Sequence, residues 1–292
     1  MDPPDRPMSG KVALVTGSTS GIGFQIALGL AQLGATVTLG ARSEARGQQT
    51  VDRIRSEIPD SEVTYLVADL SSMGQVRTLA AETLARHPAM QLLVNNVGGY
   101  FMQRRLTADG YERTFALNHL SYFLLTRLLL DRLTSGAPAR IVNVASAAHY
   151  NGRIRFEDLG YRRRYRLGLA AYAQSKLANV LFTKELARRL SGTGVTANAV
   201  HPGLVRTGLS TKNTPWPVRP IAALVVASRA ISELEGASGP LWLASSPELD
   251  GVSGEYFNLK RRVRSSAASN DQDAARRLWE VSEQLTGLAP TL

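Results

Sequence analysis

Val12-Ala13-Leu14-Val15-Thr16-Gly17-Ser18-Thr19-Ser20-Gly21-Ile22-Gly23 decides how the rest of the chain is read. Its first five residues form a β-rich apolar run. The run breaks on glycine and opens into the helix-like Ile22–Leu33, which makes a strand-turn-helix unit. Gly17, Gly21 and Gly23 permit positive φ angles and let backbone amides approach a pyrophosphate at the helix N-terminus. The spacing leaves three residues between the first two glycines, unlike G-x-G-x-x-G. Its place between a strand and a helix nonetheless points to a dinucleotide cofactor.

Working outward, strands and helices alternate. Thr36–Gly40 reads as a second strand, Ser43–Glu57 as a helix, Glu62–Val67 as a third strand and Met73–Arg86 as a helix. Leu92–Asn95, Arg140–Val144 and Thr196–Val200 continue the short buried strands, separated by long helices at about Tyr111–Leu133 and Ala170–Leu190. Gly254–Phe257 reads as a last strand and Asp271–Leu285 as a terminal helix. Such alternation predicts an α/β fold: one domain over residues 11–292, with a doubly wound (Rossmann), mostly parallel sheet and helices on both faces. Residues 1–10 are expected to be a flexible segment. Gly239-Pro240 interrupts a stretch that is otherwise helical.

Composition narrows the function. The 292 residues are 44% hydrophobic and 20% charged, globular values, and no apolar run reaches the ~20 residues needed to cross a membrane. Met1–Gly10 lacks the basic start and apolar core of a signal peptide, so a cytoplasmic location is expected. There is no cysteine, which excludes disulfides, thiol nucleophiles and cysteine zinc sites. His87, His119, His149 and His201 are scattered without metal-ligand spacing, so no metal is expected. The net charge of +10 invites a nucleic-acid hypothesis, best supported by Arg162-Arg163-Arg164 with Arg166 and by Lys260-Arg261-Arg262 with Arg264. No nucleic-acid motif or aromatic stacking platform accompanies them, so solvated arginine-rich loops are expected and no nucleic-acid partner.

Chemistry concentrates on Tyr172-Ala-Gln-Ser-Lys176. On a helix, Tyr172 and Lys176 share a face one turn apart, and an ammonium beside a phenol favours phenolate, lowering a pKa that normally sits near ~10. Such a phenol can donate or accept a proton near neutral pH. Arg42, at the end of the second strand where an acidic residue would hold an NAD ribose, suits a 2′-phosphate and favours NADP(H) over NAD(H). Asp69, followed by Leu70, could accept from an adenine amino group or, with Ser71, cap a helix. Asn96 and Gly98 follow the fourth strand where backbone and cofactor must be bridged, and Asn118 is an amide in an apolar helix that requires a specific partner. Ser146 closes a strand at its carboxyl end, and His201-Pro202-Gly203-Leu204-Val205-Arg206-Thr207 makes a sharp turn into a loop with prolines at 215, 217 and 220.

The ordered set Thr-Gly-x-x-x-Gly-Ile-Gly, Asn-Asn-x-Gly, Asn, Ser, Tyr-x-x-x-Lys and Pro-Gly resembles the short-chain dehydrogenase/reductase family over roughly Lys11–Leu285. Ser146-Ala-Ala-His149, Phe156-Glu-Asp-Leu159, Ala171–Phe182, Gly192–Thr196 and Arg277–Ser282 are similar to its retinol dehydrogenase-like branch, as a soluble member. The resemblance implies that Tyr172 is the general acid/base, that Lys176 lowers its pKa and binds nicotinamide ribose, that Ser146 orients a carbonyl and that Asn118 supports a relay water. It places Gly17, Ser18, Ser20 and Ile22 at the cofactor phosphates, Asp69 at the adenine and Asn96 and Gly98 at the adenosine half. Pro202, Val205 and Thr207 would lie at the nicotinamide. It also implies a homodimer or homotetramer paired through the helices at Tyr111–Leu133 and Ala170–Leu190, with a monomer as the alternative that the branch also contains.

Three departures qualify the transfer. Val97 stands where the family has alanine, a modest enlargement. The hydrophobic N-terminal anchor of membrane-bound relatives is missing, which argues against a retinoid substrate. The Asn151–Leu169 insert, rich in arginine and tyrosine, borders the expected substrate entrance together with Asn213–Arg229. A bulky, partly apolar alcohol or carbonyl substrate follows. Two other readings stand beside this one: a non-catalytic NADP sensor or scaffold on the same fold, and a reductase of a carbon–carbon double bond, as in protochlorophyllide reductases, which rely on a cysteine this chain lacks.

Overall fold

In the computed structural model, which describes residues 6–205 and 231–290, the expected α/β alternation forms one sheet in the order β3-β2-β1-β4-β5-β6-β7-β8. The strands are β1 (Val12–Thr16), β2 (Thr36–Ala41), β3 (Val63–Val67), β4 (Leu92–Asn95), β5 (Ala139–Val144), β6 (Val195–His201), β7 (Tyr256–Asn258) and β8 (Arg261–Arg262). All neighbours pair in parallel except β7 and β8. The chain moves outward from β1 to β3 and then returns to place β4 on the other side of β1. The carboxyl ends of β1 and β4 therefore diverge at a topological switch point, the place where open α/β sheets bind ligands.

The helices are α1 (Gly21–Gln32), α2 (Glu44–Glu57), α3 (Met73–Arg86), α4 (Arg113–Phe115), α5 (Ser121–Ser135), α6 (Leu169–Arg189), α7 (Glu233–Ser245) and α8 (Gln272–Thr286). Strand side chains alternate between two buried clusters, as pleating requires. Leu14, Leu93 and Ile141 point into the layer that holds Leu79, Phe123, Leu177 and Trp279, whereas Val15, Val94 and Val142 point into the layer that holds Phe24, Ile26, Ile54 and Leu243. Helices thus cover both faces.

Two features depart from expectation. α7 runs unbroken through Gly239 and Pro240. A Cβ at Gly236 would lie 2.5 Å from Val205 Cγ2, and one at Gly239 would lie 2.8 Å from the Leu259 backbone. Close packing holds this helix through the proline despite the lost backbone bond. The basic Lys260–Arg262 stretch forms an edge hairpin with β7, and Arg262 pairs with Glu255. The helix α8 packs on α5 and α6. Trp279 stands 5.0 Å from Phe123 and 5.9 Å from Phe182 between ring centres, and Arg127 Nη1 donates to Glu283 Oε1 at 2.5 Å. Among the described residues no helix is long and apolar enough to cross a membrane.

Candidate active site

The glycine turn is built as the sequence suggests. Gly17 and Gly21 have φ of +63° and +61°, a left-handed conformation that favours glycine. Gly23 is excluded from bearing a side chain, because a Cβ there would lie 2.2 Å from Gly17 O and 2.4 Å from Asn96 Nδ2. Asn96 ties the turn down: its Nδ2 donates to the carbonyls of Thr16 and Gly17 at 2.9 and 3.2 Å, and its backbone N–H donates to Thr16 Oγ1 at 2.9 Å. Val97 N donates to the same hydroxyl at 3.1 Å, so the enlarged residue is accommodated without losing that bond. In α1, Phe24 N donates to Ser20 O at 3.3 Å, which leaves the amides of Gly21, Ile22 and Gly23 as the unpaired start of a helix. Ser18 Oγ is buried and has no partner among the described residues.

Arg42 is exposed at the end of β2, two residues beyond Gly40, which pairs with Thr16. It therefore stands beside the turn. Asp69 Oδ1 accepts from Ser71 N at 2.9 Å and Ser71 Oγ at 2.8 Å, a local turn that engages one carboxylate oxygen. Leu70 is buried in the core. The cap of α3 comes from elsewhere: Asp109 Oδ2 accepts from Met73 N at 2.9 Å, although its N-cap is Ser72.

Asn118 lies in a π-helical stretch, Ala116–Leu120, between α4 and α5, a geometry that recurs at functional sites. Its amide finds the specific partners expected of a buried one. Oδ1 accepts from Gly99 N at 2.8 Å, and Nδ2 donates to Gly99 O at 3.0 Å and to Ser175 Oγ at 2.9 Å. Asn118 thereby joins the loop after β4 to α6. A second buried amide pair fixes that helix to the sheet. Asn95 Nδ2 donates to Asn143 Oδ1 at 2.9 Å and Thr126 Oγ1 at 3.0 Å, and Asn143 Nδ2 donates to Thr183 Oγ1 at 2.9 Å. Sequence reasoning passed over these two asparagines, whose signal was a polar residue inside an apolar strand.

α6 presents Tyr172 and Lys176 on one face, as the spacing predicts. Ser146, in extended backbone after β5, accepts from Ala148 N at 3.2 Å, and its hydroxyl is close enough to Tyr172 to influence that phenol's acidity. Lys176 is 4% exposed; its Nζ donates to Val144 O at 2.9 Å and stands 5.9 Å from the centre of the Tyr172 ring. The electrostatics correct the expectation that the ammonium acidifies the phenol. Burial lowers Lys176 to about 7, so its charge is weakened at neutral pH. Burial also raises Tyr172 above its ordinary value, opposed by the hydrogen bond from Ser146. The phenol is therefore protonated at neutral pH.

The insert before α6 forms a wall beside this group. Tyr100 packs edge-on against Tyr172 with ring centres 5.8 Å apart, and its hydroxyl donates to Leu167 O at 2.6 Å. Tyr165 OH lies 3.0 Å from both Phe101 O and Glu112 Oε1, either of which can accept its one proton, and 3.1 Å from Thr114 Oγ1. Glu112 is buried and also accepts from the amides of Thr114 and Phe115 at 2.8 and 2.9 Å. Tyr161, Arg164, Arg166 and Leu167 all take positive φ, and Leu167 and Leu169 are 56% and 64% exposed. Arg162, Arg163, Arg164 and Arg166 are solvent-facing.

Pro202 and Val205 are buried, and Gly203 has φ +80°. Val205 and Ile22 both approach Gly236, which brings the Pro-Gly turn beside the start of α1. Thr207 and the Asn213–Arg229 loop lie outside the described residues. Among the described residues no group of histidine, aspartate and glutamate could hold a metal ion.

Comparison with known proteins agrees with this geometry. The family model for short chain dehydrogenases matches residues 11–217. Retinol dehydrogenase 14 of Mus musculus is 42% identical over 292 residues, covering 96% of this chain and 87% of that protein. Retinol dehydrogenase 12 of Bos taurus is 42% identical over 289 residues, with 97% and 89% covered. A crystal structure of an uncharacterized protein from Mycobacterium Paratuberculosis superposes with a TM-score of 0.78 at 33% identity, covering 98% of this chain and 96% of that one. The Pseudomonas aeruginosa RhlG/NADP active-site complex superposes with a TM-score of 0.71 at 27% identity, with 88% and 97% covered. The chain belongs to the short-chain dehydrogenase/reductase family of oxidoreductases, in its retinol dehydrogenase-like branch.

Proposed function

We propose that the protein is an NADP(H)-dependent oxidoreductase that interconverts an alcohol and a ketone or aldehyde on a bulky, partly apolar substrate. One observation carries the proposal: Tyr172 stands on α6 with the buried Lys176 Nζ 5.9 Å from its ring centre, and that Nζ donates at 2.9 Å to Val144 O at the carboxyl end of β5, two residues before Ser146.

The turn fits a dinucleotide. Its unpaired helix-start amides and the partnerless Ser18 hydroxyl suit phosphate oxygens, and the space at Gly23 is closed to any side chain. Gly17, Ser18, Ser20, Gly21, Ile22 and Gly23 would hold the phosphates, and Arg42 the 2′-phosphate. Asp69, through the carboxylate oxygen Ser71 leaves free, and Leu70 would border the adenine, with Asn96 and Gly98 at the adenosine half. Tyr172 and Lys176 would meet the nicotinamide ribose, and Pro202, Gly203, Val205 and Thr207 its ring. The nicotinamide, when bound, supplies the hydride.

The chain's own residues handle the proton. Ser146 donates a hydrogen bond to the carbonyl oxygen, and Tyr172 gives its proton to the oxygen as charge develops there. A phenol held protonated by burial suits this direction, reduction. Lys176, titrating near neutrality, can return a proton to the phenol. Asn118 has its side-chain donors committed to Gly99 and Ser175, so it would support a relay water from its backbone in the π-helical stretch. The exposed Leu167 and Leu169 beside Tyr100 support an apolar substrate body. The relatives' names make retinol and retinal worth including among probes.

The test is NADPH oxidation against aromatic ketones, long-chain aldehydes and all-trans-retinal, with Tyr172→Phe as the control. We expect turnover that the variant loses by at least ~100-fold while NADPH affinity is kept. Undiminished turnover in Tyr172→Phe would sink the assignment.

A further inference from the structure

His149 is fully buried, three residues beyond Ser146 in the turn Ala147–Asn151. Its two ring nitrogens meet partners that cannot exchange roles. Nδ1 faces the Ser146 carbonyl at 2.8 Å, which can only accept, and Nε2 faces the Ser266 backbone N–H at 3.1 Å, which can only donate. The ring is therefore neutral, with its proton on Nδ1. The His149 backbone N–H donates to the same carbonyl at 3.1 Å, so Ser146 O receives two bonds from one residue.

The ring is also fixed laterally. Tyr150 and Tyr256 flank it with ring centres 4.1 and 4.5 Å away, and Tyr150 OH donates to Arg264 O at 2.6 Å. Ser266 is held in turn: its carbonyl accepts from Ser269 Oγ at 2.6 Å and Asn270 Nδ2 at 2.9 Å, and Lys184 Nζ donates to Asn270 Oδ1 at 2.9 Å. A continuous set of directed bonds thus runs from α6 through the 266–270 turn to the backbone of Ser146. Burial lowers the His149 pKa, the bond to Ser146 opposes this, and Lys184 lowers it further, which agrees with the neutral ring.

We propose that His149 is a positioning residue, locked as the Nδ1–H tautomer by Ser266, that sets the Ser146 hydroxyl against Tyr172. This rests on Ser146 being the hydroxyl that orients the substrate carbonyl. A carbonyl clamped twice leaves the Ser146 backbone little freedom, so its side chain keeps one direction. Without the ring the hydroxyl can turn toward Ala148 N alone, which it already accepts at 3.2 Å.

Three variants separate positioning from folding. His149→Phe removes both ring bonds, while His149→Asn keeps a donor for the Ser146 carbonyl. Ser266→Pro, whose ring suits the φ of −59° there, removes the N–H that fixes the tautomer and the Ser266 hydroxyl with it, and sets a ring carbon where that N–H met Nε2, so the imidazole must shift as it loses its donor. With NADPH and acetophenone, decanal or all-trans-retinal as probes, we expect His149→Phe to lower kcat by about 10–100-fold with KM and NADPH affinity little changed, as for other outer-shell supports. His149→Asn should recover most of that loss. In a Ser146→Ala background, His149→Phe should lower kcat no further, because the residue it positions is gone. Ring ¹⁵N shifts of His149 should show the Nδ1–H tautomer throughout about pH 6–8 and lose it in Ser266→Pro, a readout that holds whether or not any probe is turned over. An additive loss in the Ser146→Ala background, a His149→Phe enzyme of full kcat, or an Nε2–H or mixed tautomer would each overturn the proposal. Full activity in Ser146→Ala itself would instead remove the assignment of Ser146.

Discussion

Lys176 Nζ donates to the Val144 carbonyl at 2.9 Å, so the cation beneath Tyr172 is tied to the end of β5 rather than to the phenol. Its energetic role follows from that burial. Lys176 titrates at about 7 in the fold against 10.5 ordinarily. Between those values the folded state binds fewer protons than the unfolded chain, so stability rises with pH, and the full penalty is felt below pH 7. We expect urea unfolding of the wild type to gain stability from pH 7 to about 9, by at most ~1.4 kcal/mol per pH unit. Lys176→Met should lack that slope. A level wild-type profile would show that the ammonium is better solvated than its surroundings indicate.

Gly23 and Gly74 should respond oppositely to alanine. At Gly23 the new methyl meets backbone and amide atoms at 2.2 and 2.4 Å, neither of which can retreat without opening the cofactor turn. At Gly74, inside α3, its nearest neighbour is Ser72 Oγ at 3.7 Å, an ordinary contact. We expect Gly23→Ala to destabilise by roughly 3 kcal/mol or more and Gly74→Ala to stabilise by up to about 1 kcal/mol. Thermal melts of the two variants check both signs.

Arg42 should discriminate between the two nicotinamide dinucleotides. It is exposed beside the turn, where its guanidinium can meet a 2′-phosphate in bidentate fashion. Arg42→Glu is expected to weaken NADPH by on the order of 100-fold and to leave NADH within a few-fold, since a charge reversal at a phosphate removes ~2–3 kcal/mol. Fluorescence titration with both cofactors gives the ratio. Equal losses for the two would place the 2′ position elsewhere.

Glu112 anchors the insert that walls the site. Its carboxylate accepts from two buried amides, from Thr114 Oγ1 and from Tyr165 OH. Glu112→Ala leaves the Thr114 and Phe115 amides without that acceptor, at about 1–3 kcal/mol each, while Tyr165 OH keeps Phe101 O. Limited proteolysis should then cut within 161–167, where four residues hold positive φ. Tyr165→Phe, which removes the hydroxyl shared among Glu112, Phe101 and Thr114 but leaves the capping amides satisfied, should show the same cleavage more slowly. An insert equally resistant in both variants would mean that it is held by Tyr100 at Leu167 O and by Arg104, whose Nε donates to Gly160 O at 2.8 Å.

Much of this architecture was legible because it follows from local chemistry. Thr16 through Gly23 could only be a turn with unusual φ angles, and the two apolar layers follow from residues such as Leu14 and Val15 alternating along one strand. Tyr172 and Lys176 share a face because helical geometry requires it. What escaped depends on partners distant in the chain. Asn95 and Asn143 gain meaning only when β4 lies beside β5. Asp109 caps a helix that begins 36 residues earlier. Pro240 looks like a break until Val205 and Leu259 close around its helix. The sign of the Tyr172 shift was misjudged because a sequence shows the neighbouring charge but not the depth at which that charge is buried.

α8 has a consequence for the order in which the molecule can be completed during synthesis. Trp279 fills the space between Phe123 and Phe182, His119 Nε2 lies 2.9 Å from Ser282 Oγ, and Tyr111 OH donates to Leu285 O at 2.5 Å. These contacts close over the helix that carries Tyr172 and over the π-helical stretch that carries Asn118. A nascent chain that has not yet exposed Trp279 has every element of the sheet but an uncovered aromatic seam. Synthesis runs at about 5–20 residues per second, so Phe123 and Phe182 emerge seconds before the Trp279 that covers them.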